Sequence, residues 1–229
     1  MRLIRRFAAA AESKAAPAVQ QIEPAPPLPA HLLANAKVLA HRADILPMLP
    51  KGGIVAEIGV ALGDFSALLL QACQPSQFAA IDIFRLHEQP TLWGRRTAEI
   101  FGGGTHRASY EQRFAAEISA GQMQVMEGDS LDGIAQLADE SVSVLYLDAD
   151  HRYASVAAEL AAASPKMRPD GWIVLNDYIM NDIANSFAPY GVVQATHEFM
   201  LREGWEMMYL ALHPYMYCDV ALRRAPRLA

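Results

Sequence analysis

Basic residues are in the minority. The 229-residue chain carries 19 Lys+Arg against 25 Asp+Glu, a formal net charge of −6. A positive stripe for phosphate backbones is therefore not its default surface, and no nucleic-acid partner is expected. Cysteine is scarce too. Cys73 and Cys218 are too few for a disulfide framework. They fit a reducing, cytoplasmic setting, each as a small buried apolar side chain. No apolar run approaches the roughly 18 residues of a membrane span. Met1-Arg-Leu-Ile-Arg-Arg-Phe and the four alanines after it have the outline of a signal peptide, but Glu12 and Lys14 follow at once. A true apolar region would need about 7–15 residues, so the chain reads as not secreted.

What is present supports a core. Hydrophobic residues are 52% and charged residues 19%, which argues against wholesale disorder. Residues 1–30 are Ala- and Pro-rich and read as a flexible tail, with a single domain over 31–229. Leu32, Leu33, Ala36, Leu39, Ala40 and Ile45 recur at helical spacing up to Pro47. Beyond Lys51-Gly-Gly53 the chain alternates. Strands are expected at Ile54–Ile58, Phe78–Asp82, Met123–Glu127, Val142–Leu147 and Trp172–Leu175. Helices are expected at Phe65–Ala72, Ser130–Leu137, Tyr153–Ala163 and within Tyr190–Glu203. Two further β-rich runs, Trp205–Leu212 and Tyr215–Leu222, have only His213-Pro214 between them. Residues 84–122 are an insert that reads either as a cap over a site or as a decorated helical crossover.

Alternation of this kind gives an α/β fold with a mostly parallel sheet, helices on both faces and an antiparallel pair at the end. Ligands bind such sheets at the C-terminal ends of the strands. Glu57, Asp82, Asp129, Asp148 and Asp177 all sit there. In Glu57-Ile-Gly-Val-Ala-Leu-Gly-Asp-Phe-Ser66, Gly59 and Gly63 flank a turn from strand to helix that lets a ligand approach the backbone. The spacing is E-x-G-x-x-x-G-x-S, with Ala61 where a middle glycine would sit. The G-x-G-x-x-G of dinucleotide enzymes is missing, which counts against an NAD-type oxidoreductase. Asp82 can accept from two ribose hydroxyls or cap a helix. Asp129, followed by Ser130, can accept from an adenine amino group and cap the next helix. Asp148 and Asp177, at the ends of neighbouring strands, can converge on a hard cation or orient a base. His151 can accept a proton near neutral pH, with Asp150 or Asp148 as orienter; otherwise it is an exposed residue at a helix start.

Together these motifs resemble the class I S-adenosylmethionine-dependent methyltransferases over about residues 32–223. Glu57–Ser66 is similar to the first motif of the catechol and caffeoyl-CoA O-methyltransferase branch, and Leu147-Asp-Ala-Asp-His151 to its D-A-D-K segment. Asp148–Tyr153 matches the D-x-D-H-x-Y of a related bacterial group. The resemblance implies a Rossmann-like, doubly wound, mostly parallel seven-stranded sheet with a terminal antiparallel hairpin. It implies S-adenosylmethionine held by Glu57, Gly59, Ala61, Gly63, Ser66, Asp82, Ile83, Asp129, Ser130 and Asp148, with Glu57 supporting the turn through backbone amides. His151 stands where the branch has a lysine that helps deprotonate the acceptor.

Asp148 and Asp177 match two of that branch's metal ligands, but its third, an Asn, is here Tyr178. Asn176 precedes Asp177, and an odd shift along a strand reverses side-chain direction. A magnesium site is therefore carried only as an expectation at Asp148 and Asp177. The activity expected is O-methylation of a small-molecule hydroxyl, with a homodimer left open. The alternative is a non-catalytic module that kept the cofactor fold.

Overall fold

Short Val/Ile-rich runs bury both faces only when helices cover both sides of the sheet they form. A computed structural model describes residues 24–182 and 188–226 and has that arrangement. Strands β1 (Lys37–Leu39), β2 (Ile54–Ile58), β3 (Gln77–Asp82), β4 (Met123–Glu127), β5 (Val142–Leu147), β6 (Met167–Leu175), β7 (Trp205–Ala211) and β8 (Asp219–Arg224) make one sheet. Its order is β1-β7-β8-β6-β5-β2-β3-β4. From β6 to β4 all pairs are parallel. β8 inserts antiparallel between β6 and β7, and β1 joins β7 in parallel.

The main helices are α1 (Asp64–Cys73), α2 (His106–Arg113), α3 (Ser130–Ala135), α4 (Tyr153–Ala163) and α5 (Val192–Glu203). Alternate residues of the central strand β5 serve opposite faces. Leu145 and Leu147 pack with Leu160 of α4 and Phe199 of α5. Val144 and Tyr146 pack with Leu69 of α1 and Phe78 of β3. Every residue of β5 is buried. Among the described residues no helix is long and apolar enough to cross a membrane.

Several local expectations change. The helical spacing across Leu32–Pro47 resolves into two 3-10 turns, Ala30–Leu32 and Arg42–Met48, with β1 between them. Edge pairing to β7 takes Lys37–Leu39 into an extended conformation. His41 then caps the second turn, accepting from the Ala43 amide, while Asp44 accepts from the His41 amide. The sheet thus has eight strands rather than seven. The last strand starts at Asp219, because the turn before it holds Met216 at φ 62. Residues 24–29, read with the tail, lie along α5: the Pro26 carbonyl accepts from His197 Nδ1 at 2.7 Å, and Leu28 packs on the core.

Beneath the C-terminal edge of the sheet lies a buried polar cluster. Tyr146 donates to Asp219 Oδ2 at 2.8 Å, and Asn176 Nδ2 donates to Asp219 Oδ1 at 3.2 Å. Arg42 donates to the Tyr146 hydroxyl, and its Nε lies 3.5 Å from Asp219 Oδ2. Its guanidinium also covers the Phe65 ring, 4.6 Å from the centroid. Burial pushes the Asp219 carboxyl up to about 7, against the pull of Arg42 and Tyr146. Asp219→Ala should cost about 3 kcal/mol, because it strips a largely buried guanidinium of its counter-charge. Asp219→Asn, which keeps an oxygen toward Tyr146, should cost less. Urea midpoints above about pH 8, where the Asp219 carboxyl is ionised, measure both, and a loss below about 1 kcal/mol for the alanine variant would place the pair among weak surface bridges.

Candidate active site

The site begins where the parallel ladder runs one step past the strands. The Gly59 amide donates to Ile81 O at 2.8 Å, Asp148 to Ile58 O at 2.8 Å, and Asn176 to Leu147 O at 2.9 Å. This sets the loops after β3, β2, β5 and β6 at one height. Gly59 has φ +82, and a Cβ there would lie 2.2 Å from the Asp148 carbonyl, so only glycine lets these two loops touch. Over them opens a cleft of about 730 Å3, a size usual for a small-molecule site.

One half of the cleft gathers most of the residues expected to hold the cofactor. Gly59, Ala61, Asp82, Ile83, Asp129, Ser130 and Asp148 all line it. Asp82 Oδ2 accepts from the Val60 amide at 2.8 Å, and Oδ1 from the Phe84 amide at 2.6 Å. That fixes the carboxylate while leaving each oxygen a second lone pair for a ligand hydroxyl. Asp129 caps α3, accepting from the Leu131 amide at 2.9 Å, and still faces the cleft, so its two expected roles coexist. Among the described residues the Ala61 amide donates to no protein acceptor. A free amide, two paired-off acids and an apolar rim of Ile83 and Leu86 fit a ligand with carboxylate, ribose and base.

Glu57, Gly63 and Ser66 do not reach the cleft. Glu57 is 1% and Ser66 0% exposed. The Ser66 hydroxyl donates to Glu57, and the Tyr110 hydroxyl donates to Ser66 at 2.9 Å. Glu57 thus props the turn from beneath through hydroxyls, where backbone amides were expected, and burial raises its carboxyl well above the usual range. Gly63 caps α1 at φ 82 against Phe114. The insert has two parts. A two-strand hairpin, Thr91–Leu92 with Arg95–Arg96, brings Trp93 at its tip to the cleft. α2 passes behind the turn as the crossover to β4.

The other half centres on His151. Its Nε2 lies 3.6 Å from Asp148 Oδ1 and 3.8 Å from Asp177 Oδ2. These contacts are charge–charge rather than hydrogen bonds, and Nε2 is buried without a hydrogen-bond partner. The ring stacks on Tyr190, centroids 4.6 Å apart at 8°. Burial opposes the imidazolium, but Asp148, with Asp177 and Asp150 adding, raises the pKa above the ordinary value. Burial pushes Asp177 up to about 6, His151 pulling the other way.

Asp150 does not orient His151. It accepts from Arg152 Nε and Ser155 Oγ, each at 2.7 Å. Burial raises its pKa, but those donors outweigh it and bring the carboxyl down to about 2.

A magnesium ion does not fit the donor set. Tyr178, at the position of the third ligand, turns away and donates to His197. Asn176 is committed to Asp219 and Tyr146. His151 stands between the two remaining carboxylates, and among the described residues no group of three His, Cys, Asp or Glu is arranged for a metal.

The sequence reading missed Arg42, Trp93 and Glu159, which also line the cleft. Arg42 and Trp93 carried no signal, since each comes from an irregular segment placed by long-range contacts. Glu159 did carry one: it interrupts the apolar stripe Val156–Leu160–Ala163 of α4, all buried. It is 3% exposed. Burial raises its pKa from 4.5 to about 7, against a hydrogen bond from Ser130. The folded state then keeps a proton that the unfolded chain gives up, so stability falls as pH rises across that window. Glu159→Gln is free of this cost. Its stability relative to wild type should rise by on the order of 2–3 kcal/mol between about pH 5 and about pH 8. Urea midpoints at the two pH values test this, and an equal offset at both would sink it.

Solved structures share the fold. PhzM, a pyocyanin biosynthetic protein, is 14% identical at a TM-score of 0.52, over 80% of this chain and 54% of that one. The tRNA methyltransferase TrmK of B. subtilis is 15% identical at 0.52, over 82% and 68%. An rRNA methylase from Streptococcus thermophilus is 11% identical at 0.54, over 80% and 94%. The chain spans about half the length of PhzM. At these identities the likeness is one of fold, a Rossmann-like methyltransferase fold. No curated protein sequence matches. A methyltransferase-domain family model matches residues 56–178, more than half of the chain, and by that match the chain belongs to the methyltransferase domain family.

Proposed function

We propose that this methyltransferase transfers the methyl group of S-adenosylmethionine to the hydroxyl of a small-molecule acceptor, with His151 as the base. Family membership implies the cofactor. The observation that carries the reading is His151 Nε2, buried at the cleft between Asp148 and Asp177 with no hydrogen bond of its own. A nitrogen in that state can take a proton, and two carboxylates wait to stabilise the cation that results.

In this reading the Ala61 amide faces the cofactor carboxylate, Asp82 the ribose and Asp129 the adenine. When bound, the cofactor supplies an electrophilic methyl on a sulfonium sulfur, which becomes a thioether as the acceptor oxygen bonds to the methyl carbon. The hydroxyl proton passes to His151 Nε2. Asp148 and Asp177 hold the imidazolium, and Tyr190 fixes the ring plane. Trp93, Leu86 and Ile83 line the apolar side, and much of the rate comes from positioning. A net charge of −6 favours a small acceptor over nucleic acid.

Calorimetry with S-adenosylhomocysteine tests the cofactor half. Micromolar binding is expected, and no binding would undo the reading. The acceptor half is tested by pH. Below its pKa His151 already holds the proton and cannot accept another. Methyl transfer to an acceptor found among phenolic and aliphatic alcohols should therefore rise with pH through a limb above 6.5, the ordinary imidazole value. Asp177→Asn removes one carboxylate and should move that limb to lower pH. His151→Ala should lower kcat by about 10²- to 10⁴-fold. Full turnover with an unmoved limb in His151→Ala would remove the role.

A further inference from the structure

The helix behind the glycine turn is bonded to it at every step. Arg113 of α2 donates to the Leu62 carbonyl at 2.8 Å and to Asp64 at 2.6 Å. Tyr110 donates to Ser66, and Phe114 fills the space beside Gly63. At the start of α2, His106 is 1% exposed, and its Nε2 meets the Ala61 carbonyl. A carbonyl only accepts, so the hydrogen is on Nε2. The other nitrogen, Nδ1, is buried and has no partner. Phe84 and Phe101 hold the ring in place, with centroids 4.9 and 5.5 Å away.

Ala61 is the residue of the turn that needs holding. Its φ is +44, in the left-handed region that disfavours a residue carrying a Cβ. Within the turn one bond closes the loop around it, the Gly63 amide donating to the Val60 carbonyl at 2.8 Å, but the Ala61 amide bonds to no protein group among the described residues. What holds the Ala61 peptide group itself is a second bond from outside the loop, to its carbonyl, across 45 residues of sequence.

We propose that His106 is a positioning residue for the cofactor turn: its Nε2–H holds the Ala61 carbonyl back, so that the Ala61 amide stays free toward the cleft. The proposal rests on the reading of that turn as the cofactor cradle. It gives the insert a task that neither a cap nor a passive crossover has. α2 is the clamp that keeps a strained backbone ready for a carboxylate before any ligand arrives.

Two measurements on the full chain test it, one of them independent of the cofactor. Hydrogen exchange of the unliganded protein reads the Val60 and Gly63 amides, which are bonded to Asp82 and Val60, and calorimetry reads S-adenosylhomocysteine affinity. His106→Phe keeps an aromatic ring and loses the donor. His106→Asn keeps an amide too short to reach Ala61, and serves if the larger ring disturbs folding. His106→Gln places an amide N–H near the lost Nε2. The loss variants should speed exchange at Val60 and Gly63 about tenfold and weaken binding about tenfold, as for one lost buried hydrogen bond, with the melting of the rest of the domain little changed. His106→Gln should restore both. Wild-type exchange and affinity in the loss variants would overturn the proposal, and so would failure of His106→Gln to restore them. Faster local exchange in the loss variants of a protein that binds no S-adenosylhomocysteine would support the clamp and remove the cofactor reading instead.

Discussion

The parallel register of β4, β3, β2, β5 and β6 is the constraint on which the rest depends. Parallel strands in one sheet all end at the same edge, and here each feeds a loop carrying an acid or a glycine. Because the ladder hydrogen bonds continue to Gly59, Asp148 and Asn176, those loops leave the sheet at a common height. The site is a property of this edge before it is a property of any side chain. The antiparallel entry of β8 serves the same edge from below, bringing Asp219 under Tyr146 and Asn176.

Environment then separates side chains of one type into different tasks. Asp150 and Asp177 have the same chemistry and lie close in the fold. Asp150 is surrounded by Arg152 and Ser155 and is held down near 2, whereas Asp177 is desolvated beside Asp148 and is lifted to about 6. Donor-rich surroundings make the first a structural acceptor at a helix start. Burial makes the second a group whose charge matters to its neighbour. His151 receives the balance: desolvation alone would leave it neutral, and the flanking carboxylates reverse the sign. The same logic explains why the donor set does not suit magnesium. Tyr178 is committed to His197, Asn176 is turned to the floor by its Nδ2 donor bonds, and His151 stands between the two carboxylates.

Much of the sheet was legible because its strands are short, β-branched and punctuated by glycine, proline and acids. Met123–Glu127, Val142–Leu147 and Tyr153–Ala163 have the limits expected from pattern alone. β1 was not legible. Three residues on an edge have no period of their own, and the apolar residues around them mimic a helix because Ile45 and Leu46 are buried by a 3-10 turn. In the site, spacing after each strand was enough to find Asp82, Asp129, Asp148, His151 and Asp177. It could not tell a residue facing the cleft from one beneath it, which is why Glu57 and Ser66 were grouped with the lining residues. That distinction depends on what packs behind the turn. The packing residues, His106 and Tyr110, lie in the insert, whose pattern is irregular and whose partners are more than forty positions away.

The short β1 also bears on how copies of the chain meet. A long free edge strand is a template on which another sheet can grow. Here the last three of the seven residues of β7, Tyr209–Ala211, are covered by Lys37–Leu39 paired in parallel. β1 itself offers three residues, one of them a lysine, followed by a tight capped turn at His41. So brief a ladder with a charge on it gives an incoming strand little to pair with. Over that stretch Lys37–Leu39 works as an end-stop for the sheet, whose opposite margin is β4.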